Sequence, residues 1–374
     1  MAVRTKPPFR ADHVGSLLRP PELLRAREDA AAGRITSDEL RAVEDEAIAE
    51  AVRMQEGVGL RGVTDGEFRR SSWHMDFIYA LDGISTADDK VKVSFHNEQG
   101  DIEFMAAALH VDGKVGVSET IFGDAFTFLS DQVTAGVPKL TIPSPSMVHY
   151  RGGRAAIDES VYPDMASFWS DLTAAYRDEV ARLGALGCTY LQLDDTSLAY
   201  LNDPEQRRYV ASIGGDPDAQ HVEYIRHINE ALAGRPAGMS VTTHMCRGNF
   251  RSSWVAEGGY GHVAEALFHE LDVDGYFMEW DDERSGGFEP LRLLPSGDKQ
   301  VVLGLVTTKR GALESRDDLL RRIDEASRHA SLDQLCLSPQ CGFSSTVDGN
   351  ALSYDEQVAK LELVVAVAEE VWGR

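Results

Sequence analysis

Short apolar runs rich in Val, Ile, Leu and Thr alternate along the chain with longer stretches whose apolar residues recur at helical spacing. The short runs, near 10–15, 60–65, 138–143, 188–194, 238–244, 273–279, 300–306 and 334–339, predict buried strands. Helical periodicity covers about 38–56, 166–184, 218–233, 259–270, 316–330 and 354–372, with Ser37 and Asp38 as candidate caps of the first helix. Strand followed by helix is the grammar of βα units on a parallel sheet, and the number of strands matches a (β/α)8 TIM barrel. A doubly wound open sheet shares this grammar, but the strand count favours the barrel. Residues 84–133 break the alternation. There the run ALHV-DG-KVGV predicts a β-hairpin turning tightly at Asp112 and Gly113, an excursion after the second strand that hangs over one end. No linker, low-complexity tract or short-period repeat divides the chain, so one barrel domain over 1–374 is expected, with 84–133 inserted.

Composition narrows the function. The 374 residues include 61 acidic and 37 basic side chains, a formal charge of −24. Such acidity opposes binding to nucleic acid, which needs a clustered basic face. No apolar run reaches the ~18 residues of a membrane span, and Arg4, Lys6 and Arg10 are not followed by the apolar core of a signal peptide. A soluble cytoplasmic protein acting on small molecules is expected, with no nucleic acid or membrane partner and with room for a homo-oligomer. Only 4 cysteines occur, too few for a disulfide framework in a chain of this length, so the thiols are free to bind metal, catalyse or pack.

In a barrel the active site gathers at the C-terminal ends of the strands. The polar residues ending the apolar runs are therefore the ones to weigh: Asp12-His13-Val14-Gly15-Ser16, Asp65-Gly66-Glu67, Ser144 and Ser146, Asp194-Asp195, His244-Met245-Cys246, Glu279, Thr307-Thr308 and Gln340-Cys341-Gly342. His244 and Cys246, two apart in extended chain, project to one side. Cys341 ends the last run and Glu279 the sixth. A buried cysteine usually packs as a small hydrophobe, and neither thiol alone means metal. Imidazole, two thiolates and a carboxylate together at strand ends are a zinc environment, and Zn2+ is the expected cofactor. Cys188 and Cys336 lie inside apolar runs and are expected to pack.

The charge of this ligand set indicates its use. Two thiolates and a carboxylate outweigh Zn2+ by one negative charge, which makes the metal a poor Lewis acid. It suits a different task, keeping a substrate thiol deprotonated yet nucleophilic. Alkyl transfer to a thiol follows, with Glu279, the hardest ligand, the most easily displaced. Glu67 and Asp194 would form an anionic pocket for a thiol substrate that carries an ammonium group. Gly15 and Ser16 offer a backbone N–H and a hydroxyl for a carboxylate. His13 is a candidate binding group or proton donor. For Asp65 and Asp195, capping of the following helices is as good an expectation as function.

The motifs DHVGS, TDGEFRR, LQLDD, THMC, FMEWDDERSG and SPQCGF, in this order, resemble the catalytic barrel of cobalamin-independent methionine synthases, and more closely the short single-barrel paralogues. The likeness runs from about residue 10 onward. It implies a (β/α)8 barrel, zinc on His244, Cys246, Glu279 and Cys341, and methyl transfer to homocysteine in methionine biosynthesis. By the same resemblance Ser16, Glu67 and Asp194 hold the amino-acid portion of homocysteine, with the two acids on its amine. Long members of the family read Asp-Glu-Pro where this chain has Asp194-Asp195-Thr196, and carry a Trp-containing pterin segment where it has Pro143-Ser144-Pro145-Ser146. They also place a proton-donating His after strand seven, where Lys309 and Arg310 stand here. These departures leave the methyl donor open. The family also includes transferases that open epoxides with the thiol of coenzyme M, and that is the rival reading. Against it, Glu67 and Asp194 would repel a sulfonate.

Overall fold

The structure is a computed structural model that describes residues 4–97 and 100–373. Its frame is a parallel sheet of seven strands in an α/β fold: β1 (Gly62–Val63), β4 (Val137–Pro143), β5 (Tyr190–Asp195), β6 (Ser240–Met245), β7 (Gly275–Glu279), β8 (Gln300–Val306) and β9 (Leu335–Pro339), hydrogen-bonded in that order. Between β1 and β4 the chain forms an antiparallel pair, β2 (Asp82–Asn97) and β3 (Gly100–Gly116). The predicted helices appear as Ser37–Gly57, Met165–Ala185, Gln220–Leu232, Ala264–Glu270, Arg316–Ser327 and Tyr354–Trp372. The first is capped one residue earlier than expected, by Thr36 in a reciprocal box with Glu39. No helix of the described residues is long and apolar enough to cross a membrane.

Period-two alternation sorts the side chains of the sheet. Leu140, Ile142, Leu191, Leu193, Val241, Met278, Leu303 and Leu337 join the large apolar core. Their neighbours in sequence take the opposite face. There Val14, Phe277, Val302 and Cys336 form a small separate cluster. Cys188 and Cys336 are both buried as packing residues, and burial pushes their thiols up to about 12 and about 11.

The run at 10–15 departs from expectation. It makes only a single bridge, Ala11 with Leu337 of β9, rather than a strand. Its polar groups are spent differently. The Asp12 carboxylate accepts from the N–H groups of Phe9 (3.0 Å) and His13 (2.8 Å), from the Tyr190 hydroxyl (2.8 Å) and from Lys139 Nζ (3.3 Å). Lys139 also donates to the His13 carbonyl at 2.5 Å. Further along, Thr64 Oγ1 donates to the Gly15 carbonyl (2.6 Å) and Leu17 N–H to the Gly66 carbonyl (3.1 Å). The segment thus joins β9 by two backbone bonds, Asp12 N–H to the Leu337 carbonyl (3.0 Å) and Leu337 N–H to the Arg10 carbonyl (2.8 Å), and reaches β4, β5 and the chain around β1 chiefly through side chains.

The hairpin is present, but Asp112 and Gly113 do not turn it. They lie within β3, opposite a register shift between Asp82 and Ile84. A Cβ on Gly83 would come within 2.5 Å of the Lys114 carbonyl and 2.6 Å of Gly113, so the two glycines let the backbones approach closely. The pairing of β2 with β3 extends to Asn97 opposite Gly100, and the two residues between them lie outside the described chain.

Asp12 and Lys139 are both fully buried. Lys139→Met would strand the carboxylate and should cost about 3–5 kcal/mol, while adding Asp12→Asn recovers much of the loss. Urea unfolding of the single and double variants checks both.

Candidate metal centre and substrate cavity

The parallel sheet sends the C-terminal ends of β5, β6 and β7 to one rim. Register places Asp194 beside His244 across the β5–β6 ladder, and Glu279 beside Gly304 across β7–β8. Cys246 follows β6 directly and Cys341 follows β9. One ligand atom from each of His244, Cys246, Glu279 and Cys341 lies within 4.8 Å of every other, and all four residues are buried. The fold therefore brings together the four side chains singled out in the sequence.

Their surroundings fit a metal ion. The two sulfurs stand 3.4 Å apart, close to the ~3.8 Å that two thiolates ~2.3 Å from a tetrahedral ion would span. His244 Nε2 and Glu279 Oε2 are buried without a hydrogen-bond partner. The other atom of each is fixed: His244 Nδ1 is 3.2 Å from Asp194 Oδ1, and Glu279 Oε1 accepts from Arg247 N–H at 2.7 Å. Outer partners that orient the ring and the carboxylate in this way are characteristic of metal ligands. Gly248 N–H donates to Cys246 Sγ (3.3 Å), and the Tyr260 hydroxyl accepts from Glu279 N–H (2.8 Å). Burial opposes ionisation of Cys341, yet the contact with Cys246 and the nearby imidazole of His244 overcome it and hold the thiol well below its usual range. The Glu279 carboxyl is pushed up to about 7, first by burial.

A cavity of about 620 Å³ opens beside this cluster. Ser16, Glu67, Asp194, His244, Cys246 and Cys341 all face it. In the turn that follows β1, Asp65 Oδ1 accepts from Glu67 N–H (2.9 Å), and Glu67 itself adopts a left-handed φ of 61°. Glu67 Oε1 accepts from Thr141 Oγ1 (2.7 Å) and lies 3.6 Å from Arg70 Nη1. Burial raises its carboxyl to about 7; Arg70 pulls the other way and Asp194 adds to the rise. Asp195 accepts from Ser146 Oγ, Ser197 Oγ and Leu198 N–H, which makes it a capping residue.

Two other candidates lie apart from the cavity wall. His13 is buried with Nε2 3.2 Å from the Gly62 carbonyl, and burial next to Lys139 lowers its ring to about 4. Gly15, at φ +149°, brings its backbone against Thr141, where a Cβ would be 2.8 Å from Cγ2. Lys309 is turned toward the acids, 3.5 Å from Asp281 and 4.0 Å from Glu279. Sequence reasoning missed the rest of the wall: Trp73, Tyr79, Phe95, Phe104 and Phe250, with Arg151. Phe95 and Phe104 come from the β2–β3 hairpin and pack on Phe250 at ring distances of 5.3 and 4.6 Å. The only local signal was apolar alternation at Val93 and Phe95 and at Ile102 and Phe104, which marks strand faces but not a shared wall.

Residues 9–370 match the cobalamin-independent synthase catalytic domain family. The chain belongs to that family. It is 46% identical to the uncharacterized protein YxjH of Bacillus subtilis, over 98% of this chain and 96% of the relative. Methionine synthase of Pyrococcus abyssi is 25% identical over 96% of this chain and 92% of its own length. Among solved structures, a candidate vitamin-B12 independent methionine synthase from Listeria monocytogenes is 39% identical and superimposes with a TM-score of 0.80, covering 99% of this chain and 100% of that one. At family level these comparisons support a homocysteine methyltransferase.

Titration with Zn2+ against a chromophoric chelator should show one tight site per chain. Cys341→Ser should weaken it by roughly 100-fold or more; an unchanged affinity would remove Cys341 from the ligand set.

Proposed function

We propose that the protein is a zinc-dependent S-methyltransferase whose acceptor is homocysteine or a close thiol amino acid. The observation that carries this reading is the convergence of two thiols, an imidazole and a carboxylate, with the thiols and the imidazole on the wall of a cavity that Glu67 and Asp194 also line. The seven-stranded parallel sheet supports it; on this reading the segment at 10–15 would act as the eighth stave of a (β/α)8 barrel, in a single domain over 1–374 with 84–133 as its insertion. Cytoplasmic action on small molecules fits the acidity and the family.

His244, Cys246, Glu279 and Cys341 would hold the ion. A thiolate-rich zinc supplies one thing, a substrate sulfur kept deprotonated and nucleophilic at neutral pH. The chain's own groups do the remainder. Glu67 and Asp194 receive the ammonium group, Ser16 Oγ receives the carboxylate while Gly15, packed on Thr141, only shapes the backbone before it, and the cavity wall excludes water from the sulfur. Asp194 has a second duty, since its contact with His244 fixes the imidazole. His13 serves as a support through Gly62 rather than as a proton donor.

Transfer to coenzyme M is the weaker reading. Its sulfonate would meet Glu67 and Asp194, while Lys309, the cation that could have answered it, pairs with Asp281.

Homocysteine binding to the zinc-loaded protein, followed by calorimetry, tests the proposal. Glu67→Gln removes a charge-assisted contact worth about 1.5–3 kcal/mol and should weaken homocysteine by roughly 10- to 100-fold, with no loss toward coenzyme M. Metal removal should abolish binding and Zn2+ restore it; undiminished binding by the stripped protein would refute the mechanism.

A further inference from the structure

The aromatic part of the cavity lining has no part in the proposed hold on an amino acid, and its chemistry is distinctive. Trp73, Tyr79, Phe95, Phe104 and Phe250 supply aromatic surface from three separate stretches of chain. The hairpin is pinned in place there by a two-residue bridge: His96 N–H donates to the Trp254 carbonyl (2.6 Å) and Trp254 N–H to the His96 carbonyl (2.9 Å). Charge on the lining is lopsided. Among the described residues, the carboxylates of Glu67, Asp76, Asp194 and Asp348 face one guanidinium, Arg151. Asp348 is already paired with Arg251 (2.7 Å), and Arg151 lies against the Tyr200 ring (5.3 Å). A donor with several carboxylates of its own would find little here to neutralise them.

Among the described residues the lining, His244 as a metal ligand apart, offers no protonated imidazole or ammonium to a leaving group, and Glu67, whose carboxyl is raised to about 7, is engaged by Thr141 and Arg70. His74 is the imidazole beside the aromatic rings; it is stacked on Trp73 at 4.2 Å and bonded through Nδ1 to Ser72 Oγ at 3.0 Å. Burial beside Arg151 keeps its ring neutral, with the pKa lowered to about 3. Lys309 and His13 do not line the cavity. A leaving group that departs as a neutral molecule needs no proton. Aromatic faces attract cations through their quadrupoles, and this attraction strengthens once water is gone.

We propose that the aromatic part of this cavity binds a methylsulfonium donor, so that the protein moves a methyl group from a sulfonium to the acceptor thiol. This assignment rests on the thiol-methyltransferase reading and adds the donor class to it. The acceptor sulfur, as thiolate, forms a bond to the methyl carbon. The bond from that carbon to the sulfonium sulfur breaks, its electron pair stays on that sulfur, and a neutral thioether leaves. Two opposite charges vanish in the step, and no oxidant or proton is consumed. A desolvated apolar site favours such a collapse, because separated charges are least stable where the dielectric is low.

The test uses the zinc-loaded full chain, homocysteine, and four donors in parallel: S-methylmethionine, trimethylsulfonium, methyltetrahydrofolate triglutamate and methylcobalamin. X-ray absorption first establishes whether homocysteine adds a sulfur to the zinc. With sulfur added, methionine should form from both sulfoniums and not from the folate or the corrinoid. Trimethylsulfonium has no amino-acid tail, so its use reports on the aromatic wall alone. Phe104→Leu should raise the KM for trimethylsulfonium about five- to tenfold, the scale of one cation–π contact, and leave the Kd for homocysteine unchanged. Turnover confined to the folate or the corrinoid would overturn the donor assignment, as would thiol ligation without turnover of either sulfonium. Failure of homocysteine to ligate the zinc would instead overturn the thiol-transferase reading beneath it.

Discussion

Four ligand atoms within 4.8 Å of one another, all buried, are the constraint to which the rest of the structure answers. Two sulfurs and a carboxylate in a dry site repel each other once ionised, and nothing in the local chain would hold them together. The sheet does so by geometry. Parallel strands deliver their C-terminal ends to one rim, and the ladder fixes their relative height. Backbone donors then fix the ligands themselves: Arg247 N–H on Glu279, Gly248 N–H on Cys246. Tyr260 holds the Glu279 backbone from behind, and Asp194 turns the His244 ring. The centre is thus preformed, with the cost of assembling like charges met by the folding of the sheet.

The same logic explains why so much of the site was legible in the sequence. Buried strands read as apolar runs, and a polar residue ending such a run has to face either the rim or a cap. His244, Cys246, Glu279 and Cys341 are of the first kind, Asp65 and Asp195 of the second. The runs could not tell these apart, since capping uses the same carboxylate that binding does. Other features were hidden for definite reasons. The stretch at 10–15 has strand-like composition, but Asp12 finds four buried donors and shifts the burden of pairing from backbone to side chain. Asp-Gly signals a turn because it tolerates unusual φ. At 112–113 the same freedom from a Cβ serves close backbone approach to Gly83 instead. The aromatic wall was invisible because its members are near one another only after the hairpin docks on the loop behind β6.

Polar and aromatic groups share the cavity wall. His244, Cys246 and Cys341 line it together with Glu67 and Asp194, and so do rings from the hairpin and its docking loop. Such a lining allows two molecules of opposite character to be bound side by side while only their reacting atoms meet. Orientation of this kind supplies a large part of the acceleration in a two-substrate transfer. It also assigns the hairpin a place in the chemistry. It leaves the sheet after β1 and returns before β4, next to the turn that carries Glu67, so the same region of chain shapes both kinds of surface.

That turn carries a conformational cost that requires a reason. Glu67 sits at φ 61° and Gly66 at φ 66°, and only the glycine is at ease there. A non-glycine residue in this region costs about 1–3 kcal/mol and persists only when its surroundings dictate it. They do: Asp65 Oδ1 accepts from Glu67 N–H, Arg19 Nη2 donates to the Glu67 carbonyl at 2.9 Å, and Thr141 donates to the carboxylate. A capping role needs none of this, since Asp65 already caps the turn. What the left-handed conformation achieves is the direction of the side chain, which reaches the cavity wall and Thr141 on the neighbouring β4, with Asp194 of β5 close enough to act on its charge. Burial raises the carboxyl to about 7 against the pull of Arg70, 3.6 Å away, so the turn, Thr141 and Arg70 together hold a strained, buried acid at the cavity wall, where the proposed ammonium group of a thiol amino acid would add a second cation.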